Sequence, residues 1–266
     1  MSRKLRLDAE LVRRGLARSR EQAGEFIAAG RVEVGGTAAT KAATQVASDA
    51  AIAVRQEATE PDYVSRGGHK LAGALAAFDG LTVAGRRCLD AGASTGGFTD
   101  VLLAAGAGHV VAVDVGYGQL AWSLRTDPRV TVLDRVNVRG LQPEQVAPPP
   151  DLVTADLSFI SLTLVLPALV ACAAPDADFV LMVKPQFEVG KGKVGAGGVV
   201  RDPALREAAV AAVAAAAAVL GLGVLGVTAS PLPGPSGNVE YFLWLRRGGP
   251  PLDEPALRQA ISAGPQ

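Results

Sequence analysis

Five short apolar runs, Arg87–Leu89, Val110–Val113, Val130–Leu133, Leu152–Thr154 and Phe179–Val183, constrain this chain more than any other feature. Each is too short for a buried helix, and each reads as a strand covered on both faces. Segments of helical character lie near 97–105, 118–126, 163–173 and 203–220. Strands alternating with helices in this way fold as a doubly wound α/β sheet. Two last strands are predicted near 222–229 and 239–246, joined by SPLPGPSGN. That join is too short for a crossover helix, so the last strand runs antiparallel to its neighbour. The expectation is a Rossmann-like, seven-stranded sheet with its last strand antiparallel.

The first sixty residues follow a different pattern. Leu5, Leu7, Leu11, Val12 and Leu16 recur at roughly helical spacing up to Gly15–Leu16. Ser19-Arg20-Glu21-Gln22 reads as a capping box. It opens a second helix with Ala23, Phe26 and Ile27 inward, stopped at Gly30. Residues 31–34 alternate like a strand, Gly35-Gly36 is a hairpin turn, and 51–54 form a further strand. The expected organisation is a small α+β module over 1–60, a linker at 61–64, an α/β domain over 65–248, and a loosely ordered tail over 249–266.

Net charge is zero over 266 residues, but the charge is unevenly spread. Residues 1–31 hold Arg3, Lys4, Arg6, Arg13, Arg14, Arg18, Arg20 and Arg31 against Asp8, Glu10, Glu21 and Glu25. A basic arm on a neutral protein is what phosphate attraction requires, although a solvated helix face has the same composition. Cys88 and Cys172 sit in apolar runs and read as buried thiols. His69 and His109 have no partner at metal-ligand spacing, so no metal site is expected. The start lacks an apolar signal core, which points to a cytoplasmic protein. The uncharged run 208–227 is dominated by alanine and glycine, which drive membrane insertion weakly, so a membrane role is not expected.

Two sets of residues carry chemistry. After the first strand of the second domain comes Asp90-Ala91-Gly92-Ala93-Ser94-Thr95-Gly96-Gly97-Phe98. Glycines at a strand-to-helix turn let a ligand approach the backbone closely. A dinucleotide site would want glycine where Ser94 stands, and the form D-x-G-x-x-x-G suits S-adenosylmethionine instead. Asp114 ends the second strand, where it can grip ribose hydroxyls. Asp134 and Asn137 follow the third strand, facing an adenine, and Asp156 follows the fourth. For any one of these acids a helix N-cap is the competing role. The expected cofactor contacts are Asp90, Gly92, Ser94, Thr95, Gly96, Phe98, Asp114, Asp134, Asn137 and Asp156. The second set is Lys70, Asp156, Lys184 and Glu240, each at the edge of an apolar or glycine-rich run: SRGGHK, VTADLSF, VLMVKPQF and SGNVEYFLWL. Two lysines and two carboxylates in one cleft suit activation of a sugar hydroxyl. A snorkelling helix lysine is the competing role for Lys70, and an exposed strand face for Glu240.

The stretch LDAELVRRGLARSREQAGEFIAAGRVEVGGTAATKA resembles the S4 RNA-binding domain. That resemblance makes Arg6, Arg13, Arg14, Arg18, Arg20 and Arg31 candidate RNA contacts, joined by Arg66 beside Lys70 and by Lys191 and Lys193 on the loop EVGKGKVGAGG. With YVSRGGHKLAGAL, LDAGASTGGFTDVLL, ADLSFISL, VKPQFEVGK, GGVVRDP and SGNVEYFLWL, the chain resembles the TlyA family over nearly its whole length. These are S4 domains fused to an FtsJ-like class I methyltransferase, also labelled haemolysins. The resemblance implies S-adenosylmethionine-dependent 2′-O-methylation of cytidine in ribosomal RNA. The start RKLRLDAELVRRGLA is similar to longer members associated with both 16S and 23S rRNA. It also implies a catalytic set at Lys70, Asp156, Lys184 and Glu240, with Lys184 as base or oxyanion stabiliser. Ribosomal RNA or ribosomal subunits are the implied partners, and a monomer is the default. One departure is the join, where Pro61-Asp62-Tyr63-Val64 replaces the Arg-x-Trp-Val of longer mycobacterial-type members.

Rival functions leave different marks. An exocyclic-amine methyltransferase wants a proline pair after the fourth strand, where this chain has Asp156-Leu157-Ser158-Phe159. A carbon-5 enzyme wants a cysteine there. A non-catalytic RNA-binding or ribosome-assembly factor could keep the fold without turnover. A pore-forming haemolysin would need a lytic segment, and none is evident.

Overall fold

The structure is a computed structural model, and it describes residues 4–55 and 62–265. Arg3 and the polar join over 56–61 lie outside the described residues. The chain divides into two compact units, Met1–Asp62 and Tyr63–Gln266.

In the first unit, β1 (Lys4–Arg6) precedes α1 (Leu7–Arg13) and α2 (Arg20–Ala28). Strands β2 (Val32–Val34), β3 (Thr37–Ala38), β4 (Gln45–Ala47) and β5 (Ile52–Val54) follow. The expected first helix begins later than its leucine spacing suggests. Lys4, Leu5 and Arg6 are instead a strand paired antiparallel to β4, with Leu5 opposite Val46. Ser19 caps α2 as expected, accepting from the Gln22 N–H at 3.1 Å. The returning bond goes one residue upstream, from the Arg18 N–H to Gln22 Oε1. Gly35 and Gly36 both take positive φ, as a two-residue β2–β3 hairpin requires. Leu7, Leu11, Ala23, Ile27, Val32 and Val46 form the core of this unit.

The second unit begins with α3 (Arg66–Ala77), β6 (Arg87–Ala91), α4 (Gly97–Ala104), β7 (His109–Asp114), α5 (Trp122–Arg125) and β8 (Val130–Asp134). It continues with α6 (Pro143–Val146), β9 (Leu152–Ala155), α7 (Leu162–Cys172), β10 (Asp178–Val183), α8 (Pro185–Glu188), α9 (Pro203–Val219), β11 (Leu222–Ala229), β12 (Tyr241–Arg247) and α10 (Glu254–Ala263). Seven strands form one sheet in the order β11-β12-β10-β9-β6-β7-β8, parallel except for β12, which is antiparallel to both neighbours. Side chains alternate between two cores. Leu89, Val111, Leu181 and Leu243 face one side, with α7, α9 and α10; Cys88, Val110, Met182 and Phe242 face the other, with α3 and α4. That period-two division of continuous apolar runs is the mark of strands buried on both faces.

Two expectations are corrected here. The 118–126 helix shrinks to one turn, Trp122–Arg125, because the preceding segment holds Gly118 at positive φ. The segment after Gly248 is not loose. It forms α10, which buries Leu257, Ala260 and Ile261 on one face. The alanine-rich run resolves into the end of α9 and the start of β11, and no helix among the described residues is long and apolar enough to cross a membrane.

Candidate active site

Strand order places the site. The chain runs from β6 outward to β7 and β8, then returns to lay β9 on the other side of β6. Ligands bind in α/β sheets at the carboxyl ends of strands where the order reverses in this way. Asp156 directly follows β9 and Lys184 directly follows β10, and these strands are neighbours. On the far side of β10, Val183 pairs with Tyr241. One step beyond that antiparallel pair sets Lys184 beside Glu240.

Lys70 arrives from outside the sheet, in the second turn of α3. Helix α3 approaches by way of glycines. A Cβ on Gly97 would press into Ser65 Oγ and lie 2.8 Å from the Gly68 nitrogen, and one on Gly73 would lie 2.7 Å from the Pro231 side chain. The glycine pairs of SRGGHK and STGGFTD therefore let the starts of α3 and α4 meet. Lys70 Nζ then donates to Glu240 Oε2 at 2.6 Å, with both residues buried. Gly234 leaves room for that carboxylate, since a Cβ there would lie 2.7 Å from Glu240 Oε1. Lys184 Nζ forms an ion pair with Asp156 Oδ1 at 2.5 Å and donates to Ser158 Oγ at 3.0 Å. The site thus holds two lysine–carboxylate pairs. Asp156 lies 3.9 Å from the Cβ position of Gly67, one turn before Lys70, so the two pairs share one end of the sheet.

The glycine loop lies next to them. Asp156 donates its N–H to the Ala91 carbonyl at 3.0 Å, and a Cβ on Gly92 would come within 2.5 Å of the Asp156 carbonyl oxygen. Only glycine passes there, at φ +86°. Asp114 accepts the Ser94 N–H at 2.8 Å and the Gly116 N–H at 2.7 Å, which ties the loop to the end of β7. Asp134 accepts from Arg125 at 3.0 Å and from the Gly118 N–H at 3.3 Å. Asn137, expected as a cofactor contact, accepts the Arg139 N–H at 3.0 Å and caps a 3₁₀ turn. Ser94 and Thr95 are exposed beside the buried Gly96, whereas Phe98 is buried and packs its ring on Phe242.

Asp90 is the unusual member. Its side chain is fully buried in β6, and Oδ2 accepts from the Thr99 hydroxyl at 2.6 Å. Oδ1 is buried without a hydrogen-bond partner. Burial pushes its carboxyl up to about 7, the Thr99 hydroxyl opposes this, and the Asp156 and Asp114 carboxylates add to it. A buried carboxylate with an open acceptor fits a ligand that brings positive charge, as a sulfonium amino acid does.

Sequence reasoning missed a feature of this rim. Ser94, Arg135 and Phe159 are the non-glycine residues with positive φ among the described residues, and they follow β6, β8 and β9 at the same sheet end. Such strain gathers at functional sites. Phe159 is 91 % exposed at φ +64°, three residues after Asp156, with its ring 5.3 Å from that of Phe187. Hydropathy alone would have placed this aromatic inside.

The basic residues divide. Arg6 and Arg20 both bond Asp8, Arg13 bonds Glu10, and Arg18 pairs with Asp62. Arg14 spends its donors on Glu10 and on the Ser48 and Ala50 carbonyls, so it serves the fold. Arg31 bonds the Arg55 carbonyl and stacks over Phe26. Arg66 is exposed at the start of α3, and Lys193 is exposed in the 3₁₀ turn Lys191–Lys193.

Residues 63–247 match the FtsJ-like methyltransferase family and residues 5–52 the S4 domain. The chain is 64 % identical, over the full length of both proteins, to the 16S/23S rRNA (cytidine-2′-O)-methyltransferase TlyA of Mycobacterium tuberculosis. It is 38 % identical to hemolysin A of Brachyspira hyodysenteriae, over 90 % of this chain and 98 % of that one. Among solved structures, a provisionally named hemolysin from Streptococcus thermophilus superposes with a TM-score of 0.76 at 37 % identity, covering 98 % of this chain and 96 % of that one. The chain belongs to the TlyA family, in which an S4 domain precedes an FtsJ-like methyltransferase domain.

Proposed function

We propose that this chain transfers the methyl group of S-adenosylmethionine to a cytidine 2′-hydroxyl in ribosomal RNA, on both 16S and 23S rRNA. The observation that carries the reading is the pair of lysine–carboxylate contacts, Lys70–Glu240 and Lys184–Asp156, gathered beside the glycine loop. The activity named for the M. tuberculosis relative supports the choice of cytidine and of both RNAs.

Asp90, Gly92, Gly96 and Asp114 would hold the cofactor, with Asp90 Oδ1 as the buried acceptor for its positive end. When bound, S-adenosylmethionine supplies an electrophilic methyl group. The chain's own residues do the rest. Glu240 fixes Lys70, and Asp156 with Ser158 fixes Lys184, so both ammonium groups are in place before substrate arrives. Lys184 Nζ, as the ammonium of its pair, would stabilise the charge that develops on the 2′-oxygen, the Asp156 carboxylate would accept the hydroxyl proton, and the electron pair of the broken sulfur–methyl bond would stay on the cofactor's sulfur as a neutral thioether. Fixed geometry supplies the alignment that a bimolecular reaction in water lacks. Phe159 offers a flat face on which an unstacked base can rest. All four tetrad side chains come from one chain, so a monomer suffices for the chemistry. Cytoplasmic residence goes with this reading.

The test is to map ribose methylation on rRNA of both subunits after incubation with protein and labelled cofactor. The native chain is expected to methylate cytidine 2′-oxygens. Lys184→Ala is expected to lose about 10²-fold or more in turnover while keeping cofactor affinity in calorimetry. Methyl groups on base nitrogens, or undiminished turnover by a folded Lys184→Ala protein, would end this reading. Tight RNA binding with no methyl transfer would favour an assembly factor, and methylation of one subunit alone would remove the dual substrate.

A further inference from the structure

Asp8 is 4 % exposed, yet it is an acid in a unit expected to attract phosphate. Both of its oxygens are occupied. Arg6 donates Nε to Oδ1 at 3.1 Å and Nη2 to Oδ2 at 3.0 Å. Arg20 donates Nε and Nη2 to Oδ2 at 3.2 and 2.8 Å, and the Ala9 N–H completes Oδ1 at 2.8 Å. The two guanidinium groups come from different elements, the end of β1 and the first turn of α2. Each spends two of its five N–H donors on Asp8 and keeps the others, and their side chains remain 45 % and 60 % exposed.

We propose that Asp8 is a positioning residue that holds Arg6 and Arg20 as one rigid two-pronged fork for the phosphate backbone of RNA. The proposal rests on the reading of the first unit as RNA-binding. The fork carries a net single positive charge, but both long side chains are ordered before RNA arrives. Ordering a rotamer-rich side chain during binding costs affinity, and holding it in advance recovers that cost. Guanidinium planes fixed by a carboxylate also present their outer edges in the geometry that phosphate oxygens accept. Hydrogen bonding to Arg6 first, then to Arg20, keeps the Asp8 carboxyl well below the usual range, so it stays ionised wherever RNA is bound. Glu10 shows the contrast. One of its two arginines, Arg14, is only 22 % exposed and bonds the Ser48 and Ala50 carbonyls as well, so it braces the fold, and Arg13 is left as the single exposed guanidinium on that acid, where Asp8 holds two from different elements.

Charge and positioning predict opposite signs. Asp8→Asn raises the positive charge of the fork by one, so a protein that merely attracts phosphate would bind RNA more tightly. The clamp predicts dissociation from purified large and small ribosomal subunits weakened about tenfold, as expected when two side chains must be ordered during binding. The full-length chain is measured by filter binding, with melting temperature and cofactor affinity as folding controls. A second variant leaves the buried acid untouched. Arg6→Lys/Arg20→Lys keeps every charge but loses the two-donor grip, and it too is expected to bind about tenfold more weakly. Native affinity in that variant, or tighter binding by folded Asp8→Asn, overturns the clamp. Arg6→Gln/Arg20→Gln separates the two levels: if it leaves subunit binding unchanged, this face does not touch RNA and the reading beneath the proposal fails with it.

Discussion

Asp90→Asn sets cofactor binding against stability, and its size follows from burial. The Asp90 carboxyl is carried from an ordinary 3.8 to about 7 by complete burial. At 1.36 kcal/mol per pH unit this is about 4 kcal/mol against the ionised form. Below pH 3.8 the folded and unfolded chains both hold the proton, and the group is silent. Between 3.8 and about 7 the folded chain keeps a proton that the unfolded chain has released, so stability falls as pH rises. Above that window the folded chain has ionised too, and the whole penalty is present. Asparagine has nearly the same shape and no charge. At about pH 8 the cofactor-free variant is expected to be more stable than the native chain by up to about 4 kcal/mol, with a melting temperature higher by about 2–4 °C per kcal/mol. Near pH 4 the gain shrinks toward zero. Cofactor affinity moves the other way. If the bound cation needs ionised Asp90, native affinity tightens about tenfold per pH unit up to about pH 7 and then levels off, while Asp90→Asn binds weakly at every pH. Thermal melts and titration calorimetry across pH read both effects. A flat native affinity from about pH 5.5 to 8, or a variant that melts lower than native at about pH 8, would refute the assignment of a penalised, cation-seeking carboxylate.

Two further perturbations address the construction of the tetrad. Glu240→Ala leaves the Lys70 ammonium buried without its partner and is expected to cost about 3–5 kcal/mol in chemical denaturation. Lys70→Met/Glu240→Leu is expected to restore most of that stability without restoring methyl transfer, and a single variant as stable as native would show that the pair is hydrated rather than buried. Gly97→Ala drives a methyl group against Ser65 Oγ and the Gly68 nitrogen, so α3 must retreat from α4. The expected cost is about 1–3 kcal/mol together with loss of turnover, and an unchanged melting temperature with full activity would mean that the two helix starts do not touch.

Much of the architecture was legible because burial on both faces leaves a local mark. The runs at 110–113 and 179–183 carry no charge, and they are the strands β7 and β10. The expectation of a loose tail fails because Leu257, Ala260 and Ile261, at helical spacing, find a core to pack on, and a single short amphipathic turn sequence does not say whether such a partner exists. Leu5 fits a helical period as well as a strand period, and only its pairing with Val46 makes Lys4–Arg6 a strand. The exposed Phe159 reversed the usual sense of an aromatic residue. The strain at its backbone is a property of the folded turn and leaves no trace in composition.

By itself the sequence determined the alternation of strands and helices, the glycine turn after β6, and the presence of ionisable residues at segment edges. These are local properties, written in spacing and residue type. Only the tertiary structure decided which charge meets which. Lys70 reaches Glu240 across 170 positions of chain because β12 inserts beside β10 in one particular register and glycines let α3 close on α4. The same holds for Asp90, whose acidity is set by what surrounds it, and for Arg14, whose donors are consumed by carbonyls more than thirty residues away. Periodicity records that a side chain is covered, and the neighbour that covers it is settled by long-range packing.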